Sequence, residues 1–199
     1  NGQDQPYELN ISWWSAMSNI GNDVNLFQFE RFLLSQVFTL SLKGVPALYL
    51  PSILASPNDI DTFKKTGQRR DLNREKFDAN KLTELLKNFD SSASKNISYL
   101  SQIIKVRSKL KSFHPESYMK LIPTNSSNCI IIQRGVDEDS LYVMCNFSDQ
   151  VIDIPLNNEP HLSICCSQKF LIDNITGSHL YTDSFRLNPY QVVWVSCPK

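Results

Sequence analysis

The hydrophobic pattern changes character near the middle of the chain. Before His114 the apolar residues recur at helical spacing, whereas from Tyr118 onward they form short runs about ten residues apart, with turn residues between them. One segment cannot satisfy both patterns, because side chains repeat every 3.6 residues in a helix and every 2 residues in a strand. We therefore predict two domains, residues 1–115 and residues 116–199.

The first half combines helices with one predicted buried strand. A helix capped at Asn22 and Asp23 runs to Leu42, and its apolar residues cover most of the circumference, which predicts burial on more than one side. Gly44 ends it, and the apolar run at residues 45–51 follows at once, as expected for a strand buried on both faces. A helix followed directly by such a strand is typical of a parallel α/β sheet. Two further helices are predicted near residues 79–89 and 95–112, after a polar loop at residues 52–74.

The second half is predicted to be an antiparallel β-sandwich. Its strands are expected near residues 119–122, 129–133, 141–146, 151–154, 162–165, 170–172, 184–187 and 191–196.

Composition excludes several classes of function. Lys plus Arg and Asp plus Glu both number 20, so the chain lacks the cationic surplus of a nucleic-acid binder. No apolar run approaches the roughly 18 residues that span a bilayer, so we expect no membrane partner. Five cysteines without a C-x-x-C pair, and no His at ligand spacing, predict no metal, no cofactor and a reducing, cytoplasmic compartment. The chain lacks an initiator Met, which suggests a fragment.

Two polar segments resemble one wall of a carbohydrate site. They are residues 66–77, which include Arg70 and Asn73, and residues 6–10, which include Tyr7 and Glu8. Both are dense in side chains that bind hydroxyls and phosphates. The surrounding chain does not offer the acid, base or nucleophile that sugar chemistry needs. These segments therefore indicate that the chain belongs to an enzyme more clearly than they indicate that the chain is active alone.

The ordered motifs resemble the C-terminal portion of the sucrose phosphorylase-like branch of the α-amylase superfamily, glycoside hydrolase family 13. Residues 31–36 and 43–49 resemble the seventh helix and eighth strand of its (β/α)8 barrel, and residues 55–59 and 66–74 resemble the loop after that strand. Residues 103–115 look like the last barrel helix, and residues 142–148 and 189–194 resemble the trailing β domain. The implied fold class is α/β plus all-β, the end of a TIM barrel followed by an antiparallel sandwich.

The resemblance implies a retaining phosphorylase that converts an α-glucoside and inorganic phosphate to α-glucose 1-phosphate. Its nucleophile, its acid/base and its third carboxylate are implied to lie upstream of this chain, so the chain alone is expected to be inactive. Arg70 matches the arginine that holds the 4-hydroxyl of the glucosyl unit, and Tyr7 matches a tyrosine on a mobile loop. Glu8 stands where sucrose phosphorylases carry Gln, which favours glucosylglycerate or glucosylglycerol over sucrose.

Other polar and aromatic residues leave alternatives open. Asn58, Asp59 and Asn73 either line the same opening or serve as turn residues. Trp13 and Trp14 either stack on a sugar or, as we favour, pack in a barrel core.

The chain as a whole also admits other functions. It could be a carbohydrate-binding or interaction module, which requires a line of exposed aromatics on the β half, or part of an amylase-like hydrolase. Residues 47–50 lack neighbouring strands in a partial barrel, so we expect self-association, a rearranged packing of the helices, or coverage by the remainder of the barrel.

Overall fold

A computed structural model describes residues 8–18, 26–154, 156, 170–182 and 185–198. Tyr7, the predicted N-cap at Asn22 and Asp23, and the strand expected near residues 162–165 lie outside this part of the chain. Two compact units are present: Asn1–Gln28 with Leu48–Ser98, called the first unit, and Phe29–Ala47 with Tyr99–Lys199, called the second unit. The division at residues 115 and 116 concerns the domains of a parent enzyme and stays a prediction.

Three of the described helices begin at polar side chains that accept hydrogen bonds from backbone N–H groups of the first turn. The α-helices found in the described residues are α1 (Trp13–Ala16), α2 (Gln28–Ser41), α3 (Leu50–Ile53), α4 (Ile60–Thr66), α5 (Ala79–Lys87) and α6 (Ser92–Arg107). Short 3₁₀ helices occupy Arg69–Asn73, Lys111–Phe113 and Asp137–Asp139. Ser12 caps α1, Asp59 caps α4 and Asp78 caps α5, each through a side-chain oxygen that accepts from the first turn.

The β half forms an antiparallel sheet, as the sequence predicts. The strands are β1 (Met119–Ile122), β2 (Cys129–Arg134), β3 (Leu141–Asn146), β4 (Ile152–Asp153), β5 (Phe170–Asp173), β6 (His179–Tyr181), β7 (Arg186–Leu187) and β8 (Val192–Ser196). Six of them pair in the order β1-β2-β3-β8-β5-β6, and β4 pairs with β7 in a second small sheet. Every pairing is antiparallel.

The large sheet has an apolar core on each face. On one face Ile131, Met144 and Val193 pack with Ile154 and Leu187, which come from the small sheet and its flanks. The opposite face packs against α2 and the C-terminal half of α6, and this core is built from Leu34, Val37, Leu40, Leu100, Ile103, Phe113, Val143 and Trp194, among others. Helix α2 is therefore covered on most of its circumference, as its sequence predicts.

The predicted buried strand at residues 45–51 is not formed in this chain. Residues 45–49 have no regular structure, and Val45 is 82% and Tyr49 54% exposed. A strand requires a hydrogen-bonded neighbour, and no strand among the described residues lies beside this segment. Helix α3 begins instead at Leu50, with Pro51 in its first turn, where a missing N–H costs nothing.

Candidate functional site

The first unit brings two of the predicted site residues together. Arg70 lies on the 3₁₀ helix Arg69–Asn73, and its Nε donates a hydrogen bond of 2.8 Å to Oε1 of Glu8. The two side chains are 51% and 36% exposed, so the pair lies at the surface and not in an apolar interior.

Local hydrogen bonds fix the loop that carries Arg70. The Thr66 hydroxyl donates to Oδ2 of Asp71 at 2.6 Å and accepts from the N–H of Gln68 at 3.1 Å. Gly67, between them, has φ of +67°, a conformation that glycine adopts without a Cβ penalty. The loop is therefore held at both ends of the turn that precedes Arg70.

Asn58 connects two segments of the first unit. Its Oδ1 accepts from the N–H of Ser12 at 2.7 Å, and its own N–H donates to Oγ of Ser15 at 2.9 Å. These two bonds hold the loop at Asn58 against helix α1. Asn58 therefore stabilises the local structure, and its direct contact with a substrate stays a prediction.

Asp59 caps helix α4. Its Oδ1 accepts from the N–H of Thr62 at 2.9 Å, and its own N–H donates to the carbonyl of Leu72 at 2.9 Å. Hydrogen bonds to its carboxylate from the side chain and backbone of Thr62 lower the pKa of Asp59. This is the local role that the sequence offered as the alternative to substrate binding.

Asn73 ends the 3₁₀ helix that begins at Arg69. Its carbonyl accepts from the Tyr49 hydroxyl at 3.3 Å, while its Oδ1 is buried without a hydrogen-bond partner. Side chains three residues apart in a 3₁₀ helix lie on the same side, so Asn73 and Arg70 share a face. A role for Asn73 beside Arg70 is therefore compatible with the backbone.

The two adjacent tryptophans are not core residues in the described structure. Trp13 and Trp14 lie on α1 and are both half-buried. Helix α1 has a single turn and buries none of its residues fully, so packing of the two rings in a complete barrel core stays a prediction.

Among the described residues of the β half, the central strands do not present a line of exposed aromatic rings. Tyr142 on β3 and Trp194 on β8 are 2% and 0% exposed, because both belong to the apolar cores of the sheet. Tyr118, Phe147 and Tyr181 are exposed, but they lie beside β1, beside β3 and on β6, respectively. The surface that a β-domain carbohydrate module requires is therefore not formed by these residues.

Two further features concern the described residues as a group. No three of their His, Cys, Asp or Glu side chains are placed to hold a metal ion. None of their helices combines the length and apolar character needed to cross a bilayer.

The curated proteins to which this chain is similar include glucosylglycerate phosphorylases and a sucrose phosphorylase. The chain is 34% identical over 146 residues to a glucosylglycerate phosphorylase of Allomeiothermus silvanus, covering 73% of this chain and 26% of that protein. It is 29% identical over 197 residues to a glucosylglycerate phosphorylase of Escherichia coli K12, covering 98% of this chain and 33% of that protein. A sucrose phosphorylase of Bifidobacterium adolescentis is 30% identical over 81 residues, 41% of this chain and 14% of that protein. The chain thus spans about a third or less of the length of these relatives, and no protein-family model matches it.

Comparison with solved structures gives the same fold. AmyP in complex with maltotriose superposes with a TM-score of 0.66 and 15% identity, covering 92% of this chain and 38% of that one. An isomaltulose synthase variant from Erwinia rhapontici, in complex with D-glucose, superposes with a TM-score of 0.60 and 16% identity over 94% and 41% of the two chains. At this identity the likeness is one of fold.

Proposed function

This chain is a relative of the sucrose phosphorylase-like enzymes of the α-amylase superfamily, and from that premise we propose that it supplies the C-terminal part of an α-glucoside phosphorylase. The observation that carries the proposal is the similarity to a glucosylglycerate phosphorylase over 98% of the chain. The reaction transfers a glucosyl unit to inorganic phosphate and gives α-glucose 1-phosphate. A retaining mechanism needs a nucleophile and an acid/base, which this proposal assigns to the other two thirds of the protein. The chain alone is then inactive, and we place the enzyme in the cytoplasm.

The exposed segment at residues 45–50 supports a barrel that is completed elsewhere. Val45, Leu48, Tyr49 and Leu50 are each more than 40% exposed, although their composition is that of a buried strand. In the proposed enzyme this segment becomes the eighth barrel strand when neighbouring strands bind on both sides. Residues 1–115 then form the end of the barrel, and residues 116–199 form the trailing domain.

The contact between Glu8 and Arg70 bears on the acceptor. A lone carboxylate at Glu8 would repel phosphate or glycerate, whereas the bond to Arg70 compensates its charge. Glu8 can then accept hydrogen bonds from hydroxyl groups without excluding an anion from the site. This favours glucosylglycerate or glucosylglycerol as substrate over sucrose.

The test is a chimera in which this chain replaces the corresponding third of the E. coli glucosylglycerate phosphorylase. Release of glucose 1-phosphate is measured from glucosylglycerate, glucosylglycerol and sucrose with phosphate. We expect activity from the chimera and none from the isolated chain. The change Arg70→Ala in the chimera should lower kcat/KM about 100-fold, because a charged hydrogen bond at the glucosyl unit is lost.

The change Arg69→Ala is the matched control, since Arg69 precedes Arg70 and is also exposed. It should leave kcat/KM within about 3-fold of the parent chimera. Release of free glucose in place of glucose 1-phosphate would indicate a hydrolase. A folded chimera without activity on the three substrates, or robust activity of the isolated chain, would contradict the proposal.

A further inference from the structure

The first unit contains an open cleft of about 460 Å³ that neither Arg70 nor Glu8 lines. Its walls come from α1, from the loop at residues 54–57, from residues 75–78, from α5 and from the start of α6. A cleft of this volume is in the range of small-molecule sites, which are about 300–1,000 Å³.

Hydrogen bonds from Asn58 hold one wall of the cleft in place. They join Asn58 to Ser12 and Ser15, which flank Trp14 on α1, while Pro57, the neighbour of Asn58, lines the cleft. The carbonyl of Trp14 also accepts from Nε2 of Gln28 at 3.1 Å. The ring of Trp14 is therefore carried on a backbone that is anchored at three points.

The opposite wall is also anchored. Asp78 caps α5 by accepting from the N–H groups of Asn80 and Lys81, so the start of the helix is fixed. The Ser91 hydroxyl donates to the carbonyl of Leu85 at 3.2 Å and accepts from the N–H of Ser94, which joins the end of α5 to α6. Hydrogen bonds within the chain thus hold both walls of the cleft.

The lining predicts the chemistry of the ligand. Trp14 and Phe77 contribute half-buried aromatic rings, and Ser56 contributes a hydroxyl. The charged side chains balance, because Glu75 and Asp78 are matched by Lys76 and Lys81. Aromatic rings pack against the C–H groups of a ligand, and carboxylate, ammonium and hydroxyl groups form hydrogen bonds with its neutral hydroxyl groups.

We propose that this cleft binds a neutral saccharide or polyol at a site separate from Glu8 and Arg70. Trp14 provides the surface on which the ligand rests, and Asn58 positions Trp14 without touching the ligand. This inference does not require the proposed phosphorylase activity, since it rests on the cleft alone.

The test is titration of the 199-residue chain with glucose, maltose, sucrose and glycerol. Calorimetry and tryptophan fluorescence measure the binding. At least one of these ligands should bind with a Kd of about 1 mM. The change Trp14→Ala should weaken that binding at least about 10-fold, and Trp14→Phe should retain most of it. The change Trp13→Ala is the control for fluorescence, and Arg69→Ala, an exposed residue that does not line the cleft, should leave the Kd unchanged.

Asn58 is tested by two variants. Asn58→Ala should weaken binding of the ligand. Asn58→Asp keeps an oxygen that can accept from the N–H of Ser12, so its Kd should be close to that of the parent chain. Circular dichroism and Tm show whether each variant folds.

Four outcomes would overturn the inference: no binding of the four ligands to the parent chain, binding that survives Trp14→Ala, equal loss in Arg69→Ala, or binding by the isolated chain that disappears in the chimera. The chimera's phosphorolysis is measured independently, so failure of the proposed function is distinguishable.

Discussion

The buried guanidinium of Arg134 donates a hydrogen bond from Nη1 to the carbonyl oxygen of Ser41, the last residue of α2, at 3.4 Å. Nε donates to the carbonyl of Ser112 and Nη2 to that of His114, both at 3.2 Å. Helix α2 has no basic residue in its own last turn, so Arg134 supplies the positive charge that a helix C-terminus favours. Burial, with a smaller effect from Arg107, lowers the pKa of Arg134, but a guanidinium remains protonated at neutral pH.

Replacing this guanidinium should destabilise the second unit. Arg134→Met keeps a long side chain but leaves three carbonyls without their donor, and the free energy of unfolding should fall by about 3 kcal/mol or more. Urea unfolding followed by circular dichroism measures the change. The control is Arg186→Met, because Arg186 forms an exposed ion pair with Asp153, and exposed pairs contribute roughly 0–1 kcal/mol. Equal effects of the two substitutions would show that the buried hydrogen bonds contribute little.

The backbone at Ala55 provides a second prediction. Ala55 has φ of +49°, in the left-handed region where a Cβ costs roughly 1–2 kcal/mol. Ala55→Gly removes that cost and should raise Tm by a few degrees or leave it unchanged, although Ala→Gly usually destabilises. The control is Ala93→Gly in α6, which should lose about 1 kcal/mol. A loss at Ala55 as large as that at Ala93 would exclude relief of strain.

Local patterns predict the strands that alternate or are rich in β-branched residues. Strands β1 and β3 have the bounds that the sequence indicates, and β2 differs from its prediction by one residue. Strand β6 is not predicted, because it has three residues of which two are exposed. Helix α4 lies in a segment that reads as a polar loop, since its apolar residues are few and its Asp59 cap also suits a turn. The strand predicted at residues 45–51 is not formed in this chain for another reason. Strand formation depends on a hydrogen-bonded neighbour and not on composition alone.

The candidate site is predictable in part. The opposite charges and hydroxyl-binding chemistry of Glu8 and Arg70 are visible in the sequence, and the structure pairs them. The role of Asn58 is not visible, because it depends on Ser12, which is 46 residues away along the chain. The cleft beside Trp14 is likewise assembled from five separate segments, and no local pattern brings them together.

The pH dependence of helix α4 tests the cap at Asp59. Hydrogen bonds from Thr62 hold the pKa of Asp59 in the folded chain below its ordinary value, so the contribution of this group to stability is complete above the ordinary carboxyl pKa and is lost as the pH falls through the folded pKa. Asn also caps helices but does not titrate, so Asp59→Asn should show a smaller loss of stability between about pH 6 and about pH 3. Urea unfolding at the two pH values measures the difference. Asp59→Ala, which removes the cap, should lose about 1 kcal/mol at about pH 6. Identical pH profiles for the parent and Asp59→Asn would contradict the assigned hydrogen bonds.

The exposed apolar segment at residues 45–50 should make the isolated chain associate. Val45 is 82% and Leu48 42% exposed, and an exposed apolar segment of this kind favours association with another chain. The double variant Val45→Lys with Leu48→Lys should reduce both hydrophobic-dye binding and the sedimentation coefficient, without loss of helical signal. Val136→Lys is the control, because Val136 is 50% exposed but lies outside this segment.

The same segment distinguishes self-association from completion of a barrel. If neighbouring strands cover it in the chimera, dye binding should be lost there, and the two lysine substitutions should now destabilise the protein, because they place charges in a buried strand. In the isolated chain the same substitutions replace exposed side chains and should change stability by less than about 0.5 kcal/mol. Comparing the Tm change in the two contexts is therefore decisive. A monomeric isolated chain without dye binding would contradict the predicted association, and equal Tm changes in both contexts would mean that residues 45–50 do not become a barrel strand.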